Sequence, residues 1–211
     1  LAISEESLSL AANILLEGGV VCIPTDTVYG LAASVSSNDA INEIFLIKNR
    51  SEKNPIPVLI NSASQLSLYV DDFPEVARAL AHEFWPGSLT IVLKKSARLP
   101  DALSGGLDTA GFRVPAHDVP KQLCSTTESA ITGTSANKSG FPPARSAKEA
   151  FDQLKDTSIE LIIDGGTTDS GAPSTIIDCS GIAPKLIRSG AIPKERIWKL
   201  IEDMGETWDH E

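Results

Sequence analysis

Apolar positions in this chain fall into two kinds of block, some spaced three and four apart and some contiguous, and the two kinds alternate. Residues 4–17 (SEESLSLAANILLE) put Leu8, Ala11, Ala12, Leu15 and Leu16 on one helical face, with Ser4 as N-cap, acids in the first turn, and Gly18 with Gly19 as the stop. The next run, Val20-Val21-Cys22-Ile23, is contiguous and β-branched, which predicts a buried strand. It halts at Pro24. A second helical pattern over 39–48, capped by Asn38, turns Ile41, Ile44, Phe45 and Ile47 inward and carries Lys48, Asn49 and Arg50 to its C-terminal end. Further along, the pattern predicts strands at 57–60, 89–94, 111–115, 130–133, 159–163, 175–179 and 185–188. Helices are expected at 74–85, 118–124 and 146–155 and from Pro193 onward. Loops fill 95–109, 134–140 and the Gly-rich 164–174. Such alternation predicts an α/β fold with helices on both faces of a sheet. The sheet is mixed parallel and antiparallel, because the strand pairs near 20–33 and 175–188 are adjacent in sequence. No repeat or low-complexity linker divides the chain. One domain over 1–204 is expected, followed by an acidic, frayed tail at 205–211 (GETWDHE).

Composition narrows this reading without redirecting it. At 211 residues, 42% hydrophobic and 22% charged, the chain can bury a full core without metal or disulfide staples and is not disordered. A net charge of −10 argues against non-specific nucleic-acid binding by the whole surface and leaves room for a local basic cavity. Cys22, Cys124 and Cys179 are far apart, each in or beside an apolar run, with no C-x-x-C or Cys/His cluster, which predicts reduced core thiols and no zinc. No apolar run reaches the roughly 18–20 residues that cross a bilayer, and no basic-then-apolar leader is present, so a soluble cytoplasmic protein is expected.

The polar residues change the picture more. The stretch 24–33 (PTDTVYGLAA) sets two hydroxyls and a carboxylate between two apolar runs, which suits either a polar hairpin or a ligand site at strand ends. Lys48 and Arg50 stand where the helix dipole alone favours cations, and a lone Arg113 within a strand suits a solvated face as well as a ligand. Collected together, the strand-end residues comprise the hydroxyls of Thr25, Thr27, Thr109, Ser135 and Ser174, the cations Lys48, Arg50, Arg113 and Arg188, and the amides of Asn54 and Asn137. That inventory suits anions. The imidazoles His82, His117 and His210 all fall outside these loops, which disfavours a Ser-His-Asp triad or a His-rich metal site. Neither G-x-x-x-x-G-K-[ST] nor G-x-G-x-x-G opens a helix, so P-loop and dinucleotide chemistry are not indicated.

These residues carry a resemblance. The octapeptide 24–31 (PTDTVYGL) resembles the P-T-[DE]-T-x-Y-G-L signature of the YrdC-like family, the threonylcarbamoyl-AMP synthases. Lys48-Asn49-Arg50 is similar to the family's K-x-R element, and Ser135-Ala136-Asn137, followed by Ser139-Gly140, to its S-x-N element. Four more blocks follow the family's order: Trp85-Pro86-Gly87 with Thr90, Phe112-Arg113-Val114-Pro115, Ala172-Pro173-Ser174-Thr175 with Asp178, and Arg188 with Gly190. The resemblance implies a twisted mixed sheet with helices around an open basic cavity. It also implies a nucleotidyltransferase that condenses L-threonine, bicarbonate and ATP into threonylcarbamoyl-AMP and pyrophosphate, then hands the product to a tRNA threonylcarbamoyl transferase complex.

Carried over by position, the resemblance implies that Arg50, Asn54, Thr109, Ser135, Asn137 and Arg188 hold ATP, with Lys48 and Arg50 as catalytic cations near the phosphates. Thr27, Arg113 and Ser174 hold threonine, Arg113 pairing its carboxylate. Mg²⁺ accompanies the triphosphate, and no resident metal, zinc or organic cofactor is implied. Three positions depart from the family's pattern: Ser51 replaces a Pro, Leu59 stands where many relatives have His, and Pro143 stands where some have a phosphate-contacting Ser. None of the three removes a charge from the anion site. A second, C-terminal domain found in longer relatives is not expected within these residues. Two other readings remain: an RNA-binding module that uses the same cavity, and a carbamoyl-adenylate enzyme of the hydrogenase-maturation type. Net acidity and the lack of interleaved aromatics weigh against the first, and the lack of zinc-finger and acylphosphatase segments against the second.

Overall fold

The computed structural model describes residues 1–168 and 171–209. In chain order, α1 (Glu5–Leu16), β1 (Val21–Ile23), β2 (Gly30–Ala32), α2 (Asn38–Lys48) and β3 (Val58–Leu59) come first. A 3₁₀ turn (Ala63–Leu68), α3 (Glu75–Phe84), β4 (Leu89–Lys94), α4 (Asp101–Ser104), β5 (Thr109–Arg113) and α5 (Asp118–Thr126) follow. The chain continues through β6 (Ile131–Thr132), β7 (Thr134–Ser135), α6 (Ala147–Leu154), β8 (Leu161–Ile162), β9 (Thr175–Asp178), β10 (Lys185–Arg188) and α7 (Lys194–Asp203). The pattern of strands and helices is the expected one, and strand 89–94 has the predicted bounds. Three elements were not foreseen: the 3₁₀ turn, α4 inside the expected 95–109 loop, and β7 inside the expected 134–140 loop. Ser37 rather than Asn38 caps α2, its hydroxyl accepting from Ala40 N at 3.2 Å.

The mixed strands form two sheets instead of one. Four strands run in the order β7-β2-β1-β8, and six in the order β10-β9-β4-β5-β3-β6. The crossing point is Gly133, between β6 in one sheet and β7 in the other. Its N–H donates to Pro57 O at 2.8 Å, and a Cβ there would lie 2.5 Å from the Leu59 side chain, so any other residue would force Leu59 to shift. Thr132, just before it, stitches the two sheets: its hydroxyl accepts from Ala33 N at 2.9 Å and donates to Leu31 O at 3.1 Å.

Strand residues alternate between two buried clusters. Val21, Ile23, Ala32, Leu59 and Ile131 join Ala11, Ala12 and Leu15 of α1 and Val119 and Leu123 of α5. Their neighbours Cys22, Leu31, Val58, Ile60 and Ala130 join the larger cluster, with Ile41, Ile44, Leu80, Leu154 and Ile197 from α2, α3, α6 and α7. Helices therefore cover both faces, as the period-2 pattern requires. Cys22, Cys124 and Cys179 are buried free thiols, and burial pushes each up to about 12. Among the described residues, no helix is long and apolar enough to cross a membrane.

The tail corrects one expectation. Residues 205–209 are docked: Trp208 stacks on Trp198 with ring centroids 4.0 Å apart and planes at 6°, and Asp209 N donates to Pro184 O at 2.8 Å. Asp209 also forms a parallel bridge with Lys185 at the sheet edge. Two aromatic surfaces outweigh the acidity of this segment. His210 and Glu211, like Asp169 and Ser170 of the Gly-rich loop, lie outside the described residues. Thr132→Val strands a buried donor and acceptor between the sheets. It is expected to cost about 1–3 kcal/mol in urea unfolding; a loss under about 0.5 kcal/mol would remove Thr132 from that role.

Candidate functional site

Where the two sheets meet, the strand ends enclose a cavity of about 230 Å³. Its wall includes Thr25, Thr27, Arg50, Leu59, Thr90, Arg113, Ser135, Ser174 and Arg188. The lone Arg of β5 is not on a solvated face: Arg113 is 6% exposed. Its Nε donates to Gly87 O at 2.8 Å, Nη1 to Thr27 Oγ1 at 2.9 Å and Nη2 to Asp26 Oδ1 at 2.6 Å. A guanidinium has five N–H donors, so Nη1 and Nη2 each keep one.

The hydroxyl directions beside Arg113 follow from the same counting. Thr25 gives its proton to Val28 O at 2.6 Å, so in the 3.0 Å contact between Thr25 Oγ1 and Thr27 Oγ1 the donor is Thr27. Thr27 Oγ1 also accepts from Arg113, which leaves one lone pair. At this wall the cavity offers two N–H donors next to one hydroxyl acceptor. That combination matches a carboxylate beside an amine.

On the opposite strands, Arg188 is held through a backbone carbonyl. Its Nε and Nη2 reach Ser174 O at 3.1 and 2.7 Å, Nη2 lies 3.2 Å from Ser174 Oγ, and Ser174 Oγ pairs with Thr90 Oγ1 at 2.8 Å. Arg50 is held more weakly, with contacts of 3.4 Å to Thr134 Oγ1 and 3.5 Å to Pro55 O. Burial lowers the pKa of Arg50 and Arg113, with Asp26 opposing the shift at Arg113. Burial, followed by the charges of Arg113 and Arg50, lowers that of Arg188. The three cations repel one another across the cavity, and an anion would relieve that repulsion.

Lys48 is placed differently from the expected phosphate contact. It is 3% exposed and does not line the cavity. Its ammonium donates to Ser135 O, to Asn137 O at 3.0 Å and to Asn137 Oδ1 at 3.1 Å, which matches three donors to three acceptors. Asn137 in turn donates through Nδ2 to Lys138 O at 3.0 Å and Phe141 O at 2.6 Å. The K-x-R lysine and the S-x-N asparagine thus lock one loop beside the cavity. Burial, then the charge of Arg50, pushes Lys48 down to about 8.

Thr27, Arg50, Arg113, Ser135, Ser174 and Arg188 therefore line one cavity, while Lys48 and Asn137 are buried outside its lining. Asn54 is exposed on the turn after Arg50, its Nδ2 3.3 Å from Ser51 O. Thr109 begins β5 on the same side as Arg113 but about 13 Å along the strand. The role of Asp26 was missed. It lies between the two threonines of the signature, and its partner is 87 residues away. Leu59, the departure from His, is a cavity residue and the cross-strand neighbour of Arg113, and Pro143 also lines the wall. Among the described residues, no group of three or more His, Cys, Asp or Glu could hold a metal ion.

The fold is that of an α/β protein whose cavity is lined by arginines and hydroxyls at strand ends, a lining that suits anions. The chain belongs to the Sua5/YciO/YrdC family, whose model, described as telomere recombination, matches residues 13–190. It is 42% identical over 202 residues to the threonylcarbamoyl-AMP synthase of Pyrococcus abyssi, covering 96% of this chain and 59% of that protein. It is 38% identical over 205 residues to the protein of the same name from Bacillus subtilis, covering 95% and 58%. Among solved structures, Sua5 of P. abyssi complexed with L-threonine matches with a TM-score of 0.92 at 42% identity, over 99% of this chain and 60% of that one. YciO of E. coli matches with a TM-score of 0.79 at 27% identity, over 89% and 90%. The chain thus spans about three fifths of the length of the first-named relatives.

Lys48→Met leaves three acceptors without donors and is expected to cost about 1–3 kcal/mol at neutral pH. The folded chain gives up the Lys48 proton near 8 and the unfolded chain only near the ordinary 10.5, so the unfolded state binds more protons between those values and stability there rises with pH. Urea unfolding at pH 7.5, 8.5 and 9.5 should show a shallower slope in Lys48→Met than in the wild type. Parallel pH profiles would contradict the burial of this ammonium.

Proposed function

We propose that this chain forms threonylcarbamoyl-AMP and pyrophosphate from L-threonine, bicarbonate and ATP, as a cytoplasmic step toward threonylcarbamoyl modification of tRNA. The observation that carries the reading is the half-committed Arg113 guanidinium beside the spare lone pair of Thr27, in a cavity that also holds Arg50 and Arg188. The first pair fits the carboxylate and amine of an α-amino acid, and the other two arginines fit a polyphosphate. The names of the relatives agree with an amino acid and a nucleotide as reactants.

The chemistry needs little from the protein beyond arrangement. The threonine amine attacks the carbon of bicarbonate and water leaves, giving a carbamate. A carbamate oxygen then attacks the α-phosphorus of ATP, forming the mixed anhydride as the bond to pyrophosphate breaks. No covalent enzyme intermediate is required. Holding the reactants in line can lower the barrier by up to about 7–11 kcal/mol, and fixed cations stabilise the charge gathering on the phosphates. In this assignment Arg113, Thr27 and Ser174 hold threonine, while Arg50, Arg188 and Ser135 face the nucleotide. Asn54 and Thr109 are outside the cavity lining and would meet only a nucleotide that extends past it. Lys48 and Asn137 act by keeping the 135–141 loop in place. Mg²⁺ arrives with ATP, and the product passes to a tRNA-modifying partner.

The test is pyrophosphate release from ATP in bicarbonate buffer, with and without L-threonine, with the adenylate identified by mass spectrometry. Threonine-dependent release with the threonylcarbamoyl-AMP mass is the expected result; ATP binding without release would leave a binding protein, for which RNA is the ligand to try next. Arg50→Ala removes a weakly held cation with like-charged neighbours. It should lower turnover about 100–1000-fold while the melting temperature stays level or rises. A folded Arg50→Ala with normal turnover would exclude Arg50 from the site.

A further inference from the structure

Asp26 pairs with Arg113, one of the three arginines that line the cavity, and both of its carboxylate oxygens are hydrogen-bonded. Oδ1 accepts from Arg113 Nη2 at 2.6 Å and from Ala116 N at 3.1 Å, and Oδ2 accepts from Ser88 Oγ at 3.1 Å. The donors come from two segments, the 113–116 stretch and Ser88. The Asp26 and Arg113 side chains are 13% and 7% exposed, so this pair is not a surface ion pair that water can replace. With Gly87 O on Nε and Thr27 Oγ1 on Nη1, every nitrogen of the guanidinium is tied once. A plane held at three nitrogens cannot roll about its stem, and its two remaining N–H groups keep fixed directions.

We propose that Asp26 is a positioning residue for substrate carboxylate recognition: it sets the orientation of the Arg113 guanidinium so that the spare N–H groups of Nη1 and Nη2 meet the carboxylate of L-threonine. The inference rests on the threonine-binding reading above and adds a residue to it. Asp26 does not touch the amino acid. It acts through Arg113, and Ser88 and Ala116 N act through Asp26. The same carboxylate balances one of the three clustered arginines, whereas Arg50 and Arg188 have no carboxylate partner among the described residues and stay available to a second, more highly charged anion. The division of the cavity into an amino-acid half and a polyphosphate half follows from the pairing of Asp26 with Arg113.

The experiment compares wild type, Asp26→Asn and Ser88→Ala by calorimetric titration with L-threonine and, separately, with ATP. Asp26→Asn keeps the side-chain shape and removes the charge. It should weaken L-threonine binding about 10–100-fold, in the range seen when a supporting partner of a binding group is lost, while ATP affinity is unmoved. In turnover, KM for L-threonine should rise more than kcat falls. Ser88→Ala should weaken L-threonine binding about fivefold, again without an effect on ATP. Unchanged threonine affinity in a folded Asp26→Asn, or equal losses for threonine and ATP, would reduce Asp26 to a structural link and overturn the proposal. Should Asp26→Asn not fold, Ser88→Ala decides by the same split. Wild type that binds ATP but no L-threonine would instead refute the threonine reading itself, and this inference with it.

Discussion

Three guanidinium groups, Arg113 buried, Arg50 half-buried and Arg188 exposed, line one small cavity, and one of them, Arg113, pairs with the Asp26 carboxylate, in a chain whose net charge is −10. Like charges brought out of water destabilise a fold unless hydrogen bonds hold them. Here half of those bonds come from the backbone: Gly87 O for Arg113, Ser174 O for Arg188 and Pro55 O for Arg50. The strand ends supply them because two sheets meet there and leave carbonyls turned into the gap. The cavity is therefore a place where the fold holds positive charge without cancelling it, as a site for anions requires.

The junction between the sheets makes this arrangement possible. Gly133 lets the chain leave one sheet for the other against Leu59, and Thr132 binds the edges together just before the crossing. Immediately after it, β7 pairs with β2 and sets Ser135 opposite Gly30 of the signature. Lys48 then reaches from the end of α2 to fasten the turn that follows. Tyr29 fastens the Gly-rich loop in a similar way, its hydroxyl donating to Gly166 O at 2.7 Å and accepting from Gly165 N at 3.0 Å. The signature residues thus divide their work: Thr27 faces the cavity, Asp26 orients its neighbour, and Tyr29 holds the surrounding wall.

The α/β class and the order of elements were legible in the sequence because both follow from local periodicity, and so was the gathering of Arg50, Arg113 and Arg188 with Thr27 and Ser174. What was not legible depends on distant partners. The dipole argument for Lys48 named a reason for a cation at that position, but not the carbonyls 87 and 89 residues away that bury it. Asp26 reads as one acid in a polar turn until Arg113 is beside it. The tail read as frayed because its acids were weighed and the stacking of Trp208 on Trp198 could not be seen. One division into two sheets also escaped, since a strand of five residues with a glycine inside it gives no local sign of changing partners.

The central claim is that one side of the cavity reads an α-amino acid through Arg113 and Thr27. A crystal structure of the chain with L-threonine tests it most directly. The account predicts the carboxylate on the spare N–H groups of Arg113 Nη1 and Nη2, with the amine at Thr27 Oγ1. A carboxylate seated instead on Arg50 or Arg188, with Arg113 untouched, would contradict it.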